Sequence, residues 1–528
     1  MKKSHLLKAA GMIGALTLVS RILGMTRDIL SANSFGTTWQ WDAFIYAFML
    51  PNFMRRLVGE GTLSSAFIPV YAEMMEKEGD EAVKRFGSIV FTLLFWVLTT
   101  FLVTAHIIIA FVLKFHSLPP VVRLTCELLQ ILFPYLLFIS LCALSTGILN
   151  CHHHFFSPSL GPIILDIIWI IGMVWILPLA GPGLEERLIL LAICLLISGA
   201  VQLGVQIPFL SRYGFSPRFV FGFLHPSLRK VGKLILPAIL GFAIVQVNTF
   251  VDMTMGFWAG AGANSSLFYA NRLMQFPLGV FAIAMGTALL PAISHLTARQ
   301  EIEEVKKTLS FAIRSVFFII FPAMAGLIVL RTPIVRLLFE HGEFNAASTA
   351  RTSFTLLCYT IGLFAYSGQK LIVTGFYSLQ DTKTPMKIGA TALIINVVLN
   401  LVFIGPLKEA GLALATSVSG IFNFLTLVYL YQKRIADFPV RKIASSSARI
   451  LGASVLTGWS SWYLFQWIYG LSGEGQTLRL LVSVFGSIGC SVLIYVGFCF
   501  VFRVPEIQEA IQWFRESRTR SSEEEALL

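Results

Sequence analysis

The sequence predicts an all-α polytopic membrane protein of about 14 transmembrane helices, arranged as two pseudosymmetric six-helix lobes plus two C-terminal helices. Three observations support this fold class: composition, the recurrence of long apolar runs, and an internal repeat. Of the 528 residues, 56% are hydrophobic and only 13% are charged, and the mean hydropathy is +0.76. A soluble chain carries about a quarter charged residues. Secreted, fibrous, disordered and ordinary cytosolic classes are therefore excluded.

The apolar runs are long enough to cross a bilayer, which takes roughly 20 mostly apolar residues in a helix. The first run is interrupted by charges and lacks a small-residue cleavage site, so we interpret it as an uncleaved helix rather than a signal peptide. The second and eighth runs are overlong and contain prolines, which predicts bends there. The predicted spans are 8–33, 42–73, 86–113, 124–149, 159–180, 188–210, 234–258, 265–296, 309–338, 352–378, 386–404, 409–431, 449–470 and 480–502.

Lysine and arginine are distributed unevenly between the two sides of the predicted bundle. Most of the 40 lie at the two termini and in the even-numbered loops. Because positively charged loops stay in the cytoplasm, both termini are predicted to be cytoplasmic. The net charge is +12, but in a membrane protein the distribution of charge matters more than its sum, and no nucleic-acid partner is predicted. The seven cysteines lie in or beside apolar runs without CxxC spacing, which favours small apolar fillers over disulfides or metal ligands.

A repeat with an offset of about 225 residues links the two halves of the chain. Tyr-Ala, Pro and Gly-Thr recur at Tyr46, Pro51 and Gly61 and again at Tyr269, Pro277 and Gly286. One period holds six spans, so both halves enter the membrane with the same orientation. Such duplication places a substrate cavity between two lobes that alternate in access. The predicted parts are lobes 1–225 and 226–440, helices 13 and 14 at 441–505, and a cytoplasmic tail at 506–528.

Five of the arginines inside the predicted spans are not near a helix end: Arg21, Arg27, Arg55, Arg56 and Arg272. Each charge at membrane depth costs ~2.5–3.5 kcal/mol, so these residues should face water or a partner. Pairing of Arg21 with Asp28 is one explanation, because the two share a helix face. Even with that pair, Asp42 and Glu60 are too few to neutralise the other arginines. Arg314, Arg331 and Arg336 lie near helix ends, where snorkelling suffices.

The remaining arginines predict a water-filled cavity for an anion. Guanidinium groups donate in a fixed, planar fork and keep their charge when desolvated, which suits phosphate. Several such groups together indicate a di-anionic head such as a pyrophosphate. Asp252, Asn396, Asn400 and Thr416 form a second polar set, for which a small cation bound by oxygen ligands and ordinary interhelical hydrogen bonding are both open interpretations.

Enzymatic signatures are missing from the sequence. It contains no GxxxxGK[ST] and no GxSxG motif, and its span carboxylates form no matched acid/base pair in a polar domain. We therefore predict a protein that is not an enzyme and has no ATPase of its own. The tract His152–His154 has no acidic or cysteine partner nearby in sequence, so an interfacial loop is favoured over a metal site.

Dense motifs from about residue 8 to 430 resemble the MurJ (also called MviN) family of bacterial lipid II flippases, in the multidrug/oligosaccharidyl-lipid/polysaccharide exporter superfamily. The matching residues are Ser20-Arg21-Ile22-Leu23-Gly24, Arg27-Asp28, Asp42-Ala43-Phe44, Leu50-Pro51-Asn52-Phe53-Met54-Arg55-Arg56, Glu60-Gly61, Ala66-Phe67-Ile68-Pro69, Tyr269-Ala270-Asn271-Arg272-Leu273-Met274-Gln275-Phe276-Pro277, Gly375-Phe376-Tyr377-Ser378, Asp381-Thr382-Lys383-Thr384-Pro385 and Gly405-Pro406-Leu407-Lys408.

The resemblance implies a multi-pass protein of the bacterial cytoplasmic (inner) membrane that flips lipid II to the outer leaflet, with a groove for the polyprenyl tail at the last two helices. Its central-cavity residues correspond here to Arg21, Arg27, Arg55, Arg272 and Asp42. A sodium site described in some members maps onto Asp252, Asn396, Asn400, Thr416 and the Leu412 carbonyl, with no other cofactor. Asn400 is neutral where those members carry an acid, and Asn271 replaces an acid common before the eighth-span arginine. Membrane lipids and the wall-synthesis machinery are the other expected partners.

Three alternative functions compete with this one. A drug/cation antiporter, or another polyprenyl-linked glycan exporter, of the same superfamily is the first, although an antiporter cavity would be rich in acids and aromatics. A membrane-embedded glycan polymerase or transferase would need a carboxylate base and usually a large outer loop. A scaffold for wall-synthesis proteins would gain nothing from the buried charge.

Overall fold

The computed structural model describes residues 3–54, 64–222, 226–471, 476–507 and 509. Within these ranges it holds 17 α-helices and no strand, which confirms the all-α class. The predicted site residues Arg55, Arg56 and Glu60 lie outside the described residues. The chain divides into two compact units, one comprising Met1–Phe257 with His341–Phe344, the other Trp258–Glu340 with Asn345–Leu528. The lobe boundaries predicted at 225, 440 and 505 stay predictions.

The first unit is built from eight helices, the last of which continues two residues beyond it. They are α1 (Lys3–Phe35), α2 (Trp39–Met54), α3 (Ser64–Lys77), α4 (Gly79–Phe115), α5 (Pro120–Cys151), α6 (Phe156–Ile171), α7 (Leu184–Arg212) and α8 (Pro226–Ala259). Proline opens α5 because the first helical position needs no N–H donor. A π-helical turn (Gly172–Ile176) extends α6.

The second unit contains nine helices. They are α9 (Ala263–Pro277), α10 (Ile283–Ala298), α11 (Ile302–Val329), α12 (Arg331–Phe339), α13 (Ala346–Ile361), α14 (Leu363–Ser378), α15 (Lys383–Arg434), α16 (Val440–Leu471) and α17 (Gln476–Val501). A π-helical turn, Leu278–Ala282, separates α9 from α10 directly after Pro277. Proline has no N–H for the helical ladder, so the backbone changes its pattern at this point. This is one of the positions where the sequence predicts a bend.

Helix α15 is a hairpin rather than one straight rod. Lys408 has φ +51° and ψ −130°, which no helical residue adopts. The side chains of Asn396 and Thr416 are hydrogen-bonded at 3.1 Å, although 20 residues of straight helix would separate them by about 30 Å. A Cβ at Gly411 would collide with the carbonyl of Phe403. The chain therefore reverses between the predicted spans 386–404 and 409–431.

Membrane spanning is supported by length and by the surface. Nine helical segments of the described residues are long and apolar enough to cross a bilayer, the α15 hairpin being counted once. On α4, Trp96, Ile107 and Phe111 are 47%, 64% and 56% exposed. Side chains this large and apolar are suited to contact with lipid. The protein is thus a polytopic membrane protein, while the count of 14 spans stays a prediction.

Candidate functional site

The guanidinium of Arg27 lies in a buried network in the first unit. The side chain of Arg27 donates from Nε and Nη2 to Oδ1 of Asp28, at 3.0 and 2.8 Å. Its Nη1 donates to Oδ1 of Asp166 at 2.8 Å. The guanidinium carbon lies 4.7 Å from the ring centroid of Trp169, and Arg27 is only 7% exposed. A cation removed from water in this way needs both charge partners and hydrogen-bond acceptors, and Arg27 has both.

The network forms where α1 packs against α6. Ser31, one turn after Arg27, donates to the Arg27 carbonyl at 2.9 Å and accepts from the indole Nε1 of Trp169 at 3.2 Å. Ser20 donates to Oδ2 of Asp166 at 3.5 Å. Side chains at i and i+4 share a helix face, so α1 presents Arg27 and Ser31 to α6 together. The sequence did not identify Asp166 as a site residue, and its one signal was a carboxylate inside the fifth span.

Arg21 and Asp28 do not form the ion pair that their spacing on one helix face suggests. The Asp28 carboxylate accepts two bonds from Arg27, its direct neighbour, and is 1% exposed. Arg21 lies nearly two turns earlier on α1 with an exposed side chain. Arg21 is therefore exposed on α1, whereas Arg27 is buried in the network with Asp28 and Asp166.

Asp42 occupies the first turn of α2, where a negative charge is favourable to the helix dipole. Its backbone N–H donates to the carbonyl of Thr38 at 3.0 Å, and the residue is 2% exposed. Trp41 and Phe44 stack at 5.0 Å beside it. Asp42 is therefore fixed in position by the rigid start of α2.

Arg272 lies on α9 in the second unit and is half-buried. It is preceded by Asn271, whose Oδ1 accepts a short hydrogen bond from Nε2 of Gln275. Tyr269, three residues before Arg272, is fully buried against Phe339 with ring centroids 4.9 Å apart. Arg272 thus projects from a well-anchored helix. Convergence of Arg272 with the arginines of the first unit stays a prediction.

The polar set in α15 forms a continuous hydrogen-bonded chain across the hairpin. Thr416 donates from Oγ1 to the Leu412 carbonyl at 2.9 Å and accepts from Nδ2 of Asn396 at 3.1 Å. Nδ2 of Asn400 donates to Oδ1 of Asn396 at 3.0 Å, and both asparagines are fully buried. This geometry agrees with interhelical hydrogen bonding, which is one of the two interpretations of this polar set that the sequence leaves open. The oxygens fit a hard cation chemically, although several already accept protein donors.

Asp252, the fifth residue of the predicted cation site, belongs to the first unit. Its Oδ2 accepts a hydrogen bond from Nδ2 of Asn248 at 3.3 Å, and Asp252 is 7% exposed. Within the described part of the chain, no group of three or more His, Cys, Asp and Glu side chains is placed to hold a metal ion. A sodium site composed of residues from both units stays a prediction.

The histidine tract is an aromatic loop between α5 and α6. His152 stacks on Tyr213 and His154 stacks on Phe209, with ring centroids 4.9 and 4.7 Å apart. Burial lowers the pKa of both the His152 and His154 imidazoles below the ordinary histidine value, so both are neutral at pH 7. Neutral, stacked rings serve as packing groups, as the interfacial-loop interpretation expects.

The snorkelling prediction for Arg314 is wrong. Arg314 is 3% exposed, and its Nη1 and Nη2 donate to Glu506 and Glu509 at 2.5 and 3.1 Å. Ser446 of α16 donates to the same Glu506 oxygen at 2.7 Å. Glu506, which the sequence analysis assigned to the cytoplasmic tail, is 5% exposed. The pair ties α11 to the segment after α17, and its 192-residue separation left no sequence signal.

A comparison with solved structures identifies the fold. The chain superposes on an inward-facing multidrug-resistance transporter of the MATE family of the MOP superfamily with TM-score 0.63 at 15% identity, covering 79% of this chain and 95% of that one. At this identity the likeness concerns the fold alone, which this chain shares with that transporter.

The family is defined by closer matches. The model of the family described as "Lipid II flippase MurJ" matches residues 31–480, so the chain belongs to the MurJ family. A probable lipid II flippase MurJ from Vibrio cholerae is 35% identical over 510 residues, covering 93% of this chain and 96% of that protein. Lipid II flippase MurJ from Burkholderia cenocepacia is 31% identical, with 87% and 90% covered. A solved lipid II flippase MurJ in an inward closed conformation aligns with TM-score 0.75 at 28% identity, covering 93% and 98%.

Proposed function

We propose that this protein flips lipid II, the lipid-linked peptidoglycan precursor, from the inner to the outer leaflet of the bacterial cytoplasmic membrane, and that it is not an enzyme. The observation that carries this function is the family match over residues 31–480. Relatives that cover nearly the whole chain bear the same description. The excess of Lys and Arg at the termini supports an orientation with both ends in the cytoplasm.

The proposed binding site for the pyrophosphate is a set of charged side chains: Arg21, Arg27, Asp28, Asp42, Arg55, Arg56, Glu60 and Arg272. Arginine supplies parallel N–H donors that match phosphate oxygens, and a desolvated pair of this kind is strong. The acids position the arginines and balance their charge while no substrate is bound. The polyprenyl tail stays in lipid, next to the last two helices, α16 and α17.

Arg27 binds the pyrophosphate by exchanging anions. Its donors are already satisfied by Asp28 and Asp166, so a phosphate oxygen takes the place of one carboxylate. The exchange keeps the guanidinium paired throughout, and the displaced carboxylate takes up a proton or another donor, because a buried charge without a partner costs about 3–5 kcal/mol. Exposed Arg21 makes the first contact on the same helix, and Arg27 follows.

Transport proceeds by alternating access of two lobes, with the membrane potential as a driving force. Each elementary charge moved across the membrane is worth ~2.3 kcal/mol per 100 mV. An anionic head carried outward from a negative interior moves downhill, and the empty cationic cavity is drawn back inward. A sodium ion held by Asp252, Asn396, Asn400, Thr416 and the Leu412 carbonyl would favour that return.

The test is reconstitution of the full chain into liposomes with fluorescent lipid II in the inner leaflet. We expect Arg27→Ala and Arg272→Ala to reduce the appearance of label at the outer face at least tenfold per molecule of folded protein, and the comparison is normalised to folded protein because Arg27→Ala also leaves Asp28 and Asp166 without their partner. Arg123→Ala is the matched control, because Arg123 is exposed and paired only with Glu127 on the same helix. Normal translocation by both variants would rule out the phosphate-binding assignment. A wild type that polymerises glycan instead of moving lipid would overturn the function itself.

A further inference from the structure

A cleft lies between the C-terminal end of α14 and the two ends of the α15 hairpin, in the second unit. Its volume is about 370 Å³. Its lining consists of Phe376, Thr384, Lys387, Ile388, Leu430, Lys433 and Arg434. None of these residues belongs to the proposed pyrophosphate site or to the proposed sodium site.

The cleft combines an apolar floor with a cationic rim. Phe376 is buried, and Ile388 and Leu430 are half-buried, whereas Lys387, Lys433 and Arg434 are exposed. Three cations at one opening repel each other unless an anion lies between them. The pocket therefore has the electrostatic character of an anion site with an apolar base.

One carboxylate faces this rim. Asp381 lies 3.7 Å from Nη1 of Arg434 and also accepts from the backbone N and Oγ1 of Thr384, at 3.0 and 2.8 Å. Those hydrogen bonds hold the Asp381 carboxylate at the start of α15. They also lower the pKa of Asp381 below the ordinary carboxyl value, so the carboxylate stays ionised. A single carboxylate leaves the rim with an excess of positive charge.

Exposed apolar side chains continue from the cleft along both legs of the hairpin. Ile394 and Val398 on the first leg are 64% and 54% exposed, and Leu425 and Tyr429 on the second leg are 56% and 59% exposed. The Lys433 ammonium lies 5.6 Å from the Tyr429 ring, at the border between the two environments. A surface with positive charge at one end and apolar side chains along its length is complementary to a molecule with an anionic head and hydrocarbon chains.

We propose that this cleft binds the phosphate of an anionic glycerophospholipid of the inner leaflet, with the acyl chains along the apolar faces of α15. The Lys and Arg distribution places this end of the hairpin in the cytoplasm, where basic pockets between helices recognise lipid head groups. A lipid gains from both the cations and the apolar surface, whereas free phosphate gains from the cations alone. The proposal does not depend on the transported substrate.

The experiment is native mass spectrometry of the full chain released from nanodiscs of equal parts phosphatidylglycerol and phosphatidylethanolamine. The variant Lys387→Gln/Lys433→Gln/Arg434→Gln should lose about 100-fold in apparent affinity for phosphatidylglycerol, since each basic residue at the surface contributes about fivefold. The control variant Arg229→Gln/Lys230→Gln/Lys233→Gln removes the same number of positive charges from exposed positions at the start of α8. This variant should retain the lipid. If the triple variant does not fold, Lys387→Gln and Lys433→Gln singly should each lose about fivefold, and Lys387→Arg should lose nothing.

Several results would overturn the proposal. Equal loss in both triple variants would mean non-specific attraction, and no loss in either would mean that the cleft holds no lipid. Displacement of phosphatidylglycerol by soluble glycerol phosphate at matched concentration would identify a free phosphate site. One-for-one displacement by lipid II would assign the cleft to the transported substrate.

Discussion

Two carboxylates and an indole surround the guanidinium of Arg27, and together they make a buried cation tolerable. Asp28 is supplied by the same helix and Asp166 by α6, so the network also joins the two helices. Removing one partner from such a pair is more damaging than replacing the whole pair by apolar groups, because the remaining charge is left buried. The integrity of the α1–α6 contact therefore depends on Asp166.

We expect Asp166→Asn to lower the free energy of unfolding by about 3 kcal/mol, because the neutral amide leaves part of the Arg27 charge uncompensated. The measurement is thermal unfolding of the purified protein in detergent. Ser20→Ala, which removes only the long 3.5 Å bond to Asp166, should change the unfolding midpoint little. A midpoint for Asp166→Asn equal to that of Ser20→Ala would contradict the role given to this pair.

Two features of the α15 hairpin affect the stability of this element. One concerns Lys408, which turns the chain with a positive φ that a side chain disfavours. The other concerns Asp381, whose ionised carboxylate stabilises the start of the hairpin. Each can be separated from transport by a stability measurement.

Lys408→Gly should raise the free energy of unfolding by about 1 kcal/mol, because glycine adopts φ +51° without the steric cost of a Cβ. Thermal unfolding in the same detergent measures this change. Lys408→Ala serves as the control, since it removes the charge but keeps the Cβ. If alanine stabilises the protein as much as glycine, charge rather than backbone conformation explains the effect.

Asp381→Asn should destabilise the protein by about 0.3–1 kcal/mol at pH 7, because the amide oxygen still accepts from Thr384 but the negative charge at the helix start and beside Arg434 is lost. The Thr384 backbone hydrogen bond holds the folded-state pKa of Asp381 below its unfolded value. Its contribution is therefore complete above the ordinary carboxyl pKa of about 4 and is lost as pH falls through the lower folded-state value. Unfolding midpoints of wild type and variant, measured from pH 7 down to 3, should converge at the acid end. A constant difference across that range would contradict the assignment.

Sequence reasoning succeeded where a single helix carries the information. Apolar length located the helices, Pro277 marked a real break, and the gap between spans 386–404 and 409–431 became the reversal at Lys408. It failed where two distant segments meet, as for Asp166 opposite Arg27 and for Glu506 opposite Arg314. Spacing along one helix reports which residues share a face, but not which other helix covers that face.

At the scale of the whole molecule, the proposed transport cycle moves net charge across the membrane. With one elementary charge moved through the full potential, 100 mV changes the equilibrium ratio of outer to inner lipid II about 50-fold. We expect an inside-negative potassium diffusion potential to raise the accumulation of label in the outer leaflet and the opposite potential to lower it. Equal accumulation at zero and at both polarities would remove voltage from the mechanism, and a sodium gradient applied alone would then isolate the contribution of the cation.

The acids that surround Arg27 also bear on the permeability barrier of the cell. A bare guanidinium in a water-filled chamber would attract chloride and hydroxide, and a carrier idling between turnovers would then short-circuit the ion gradients on which other transporters depend. With Asp28 and Asp166 in contact, the resting protein supplies its own counter-ions. We expect only an anion that offers several oxygens at once to displace them, so the guanidinium of Arg27 carries no chloride or hydroxide through the empty protein.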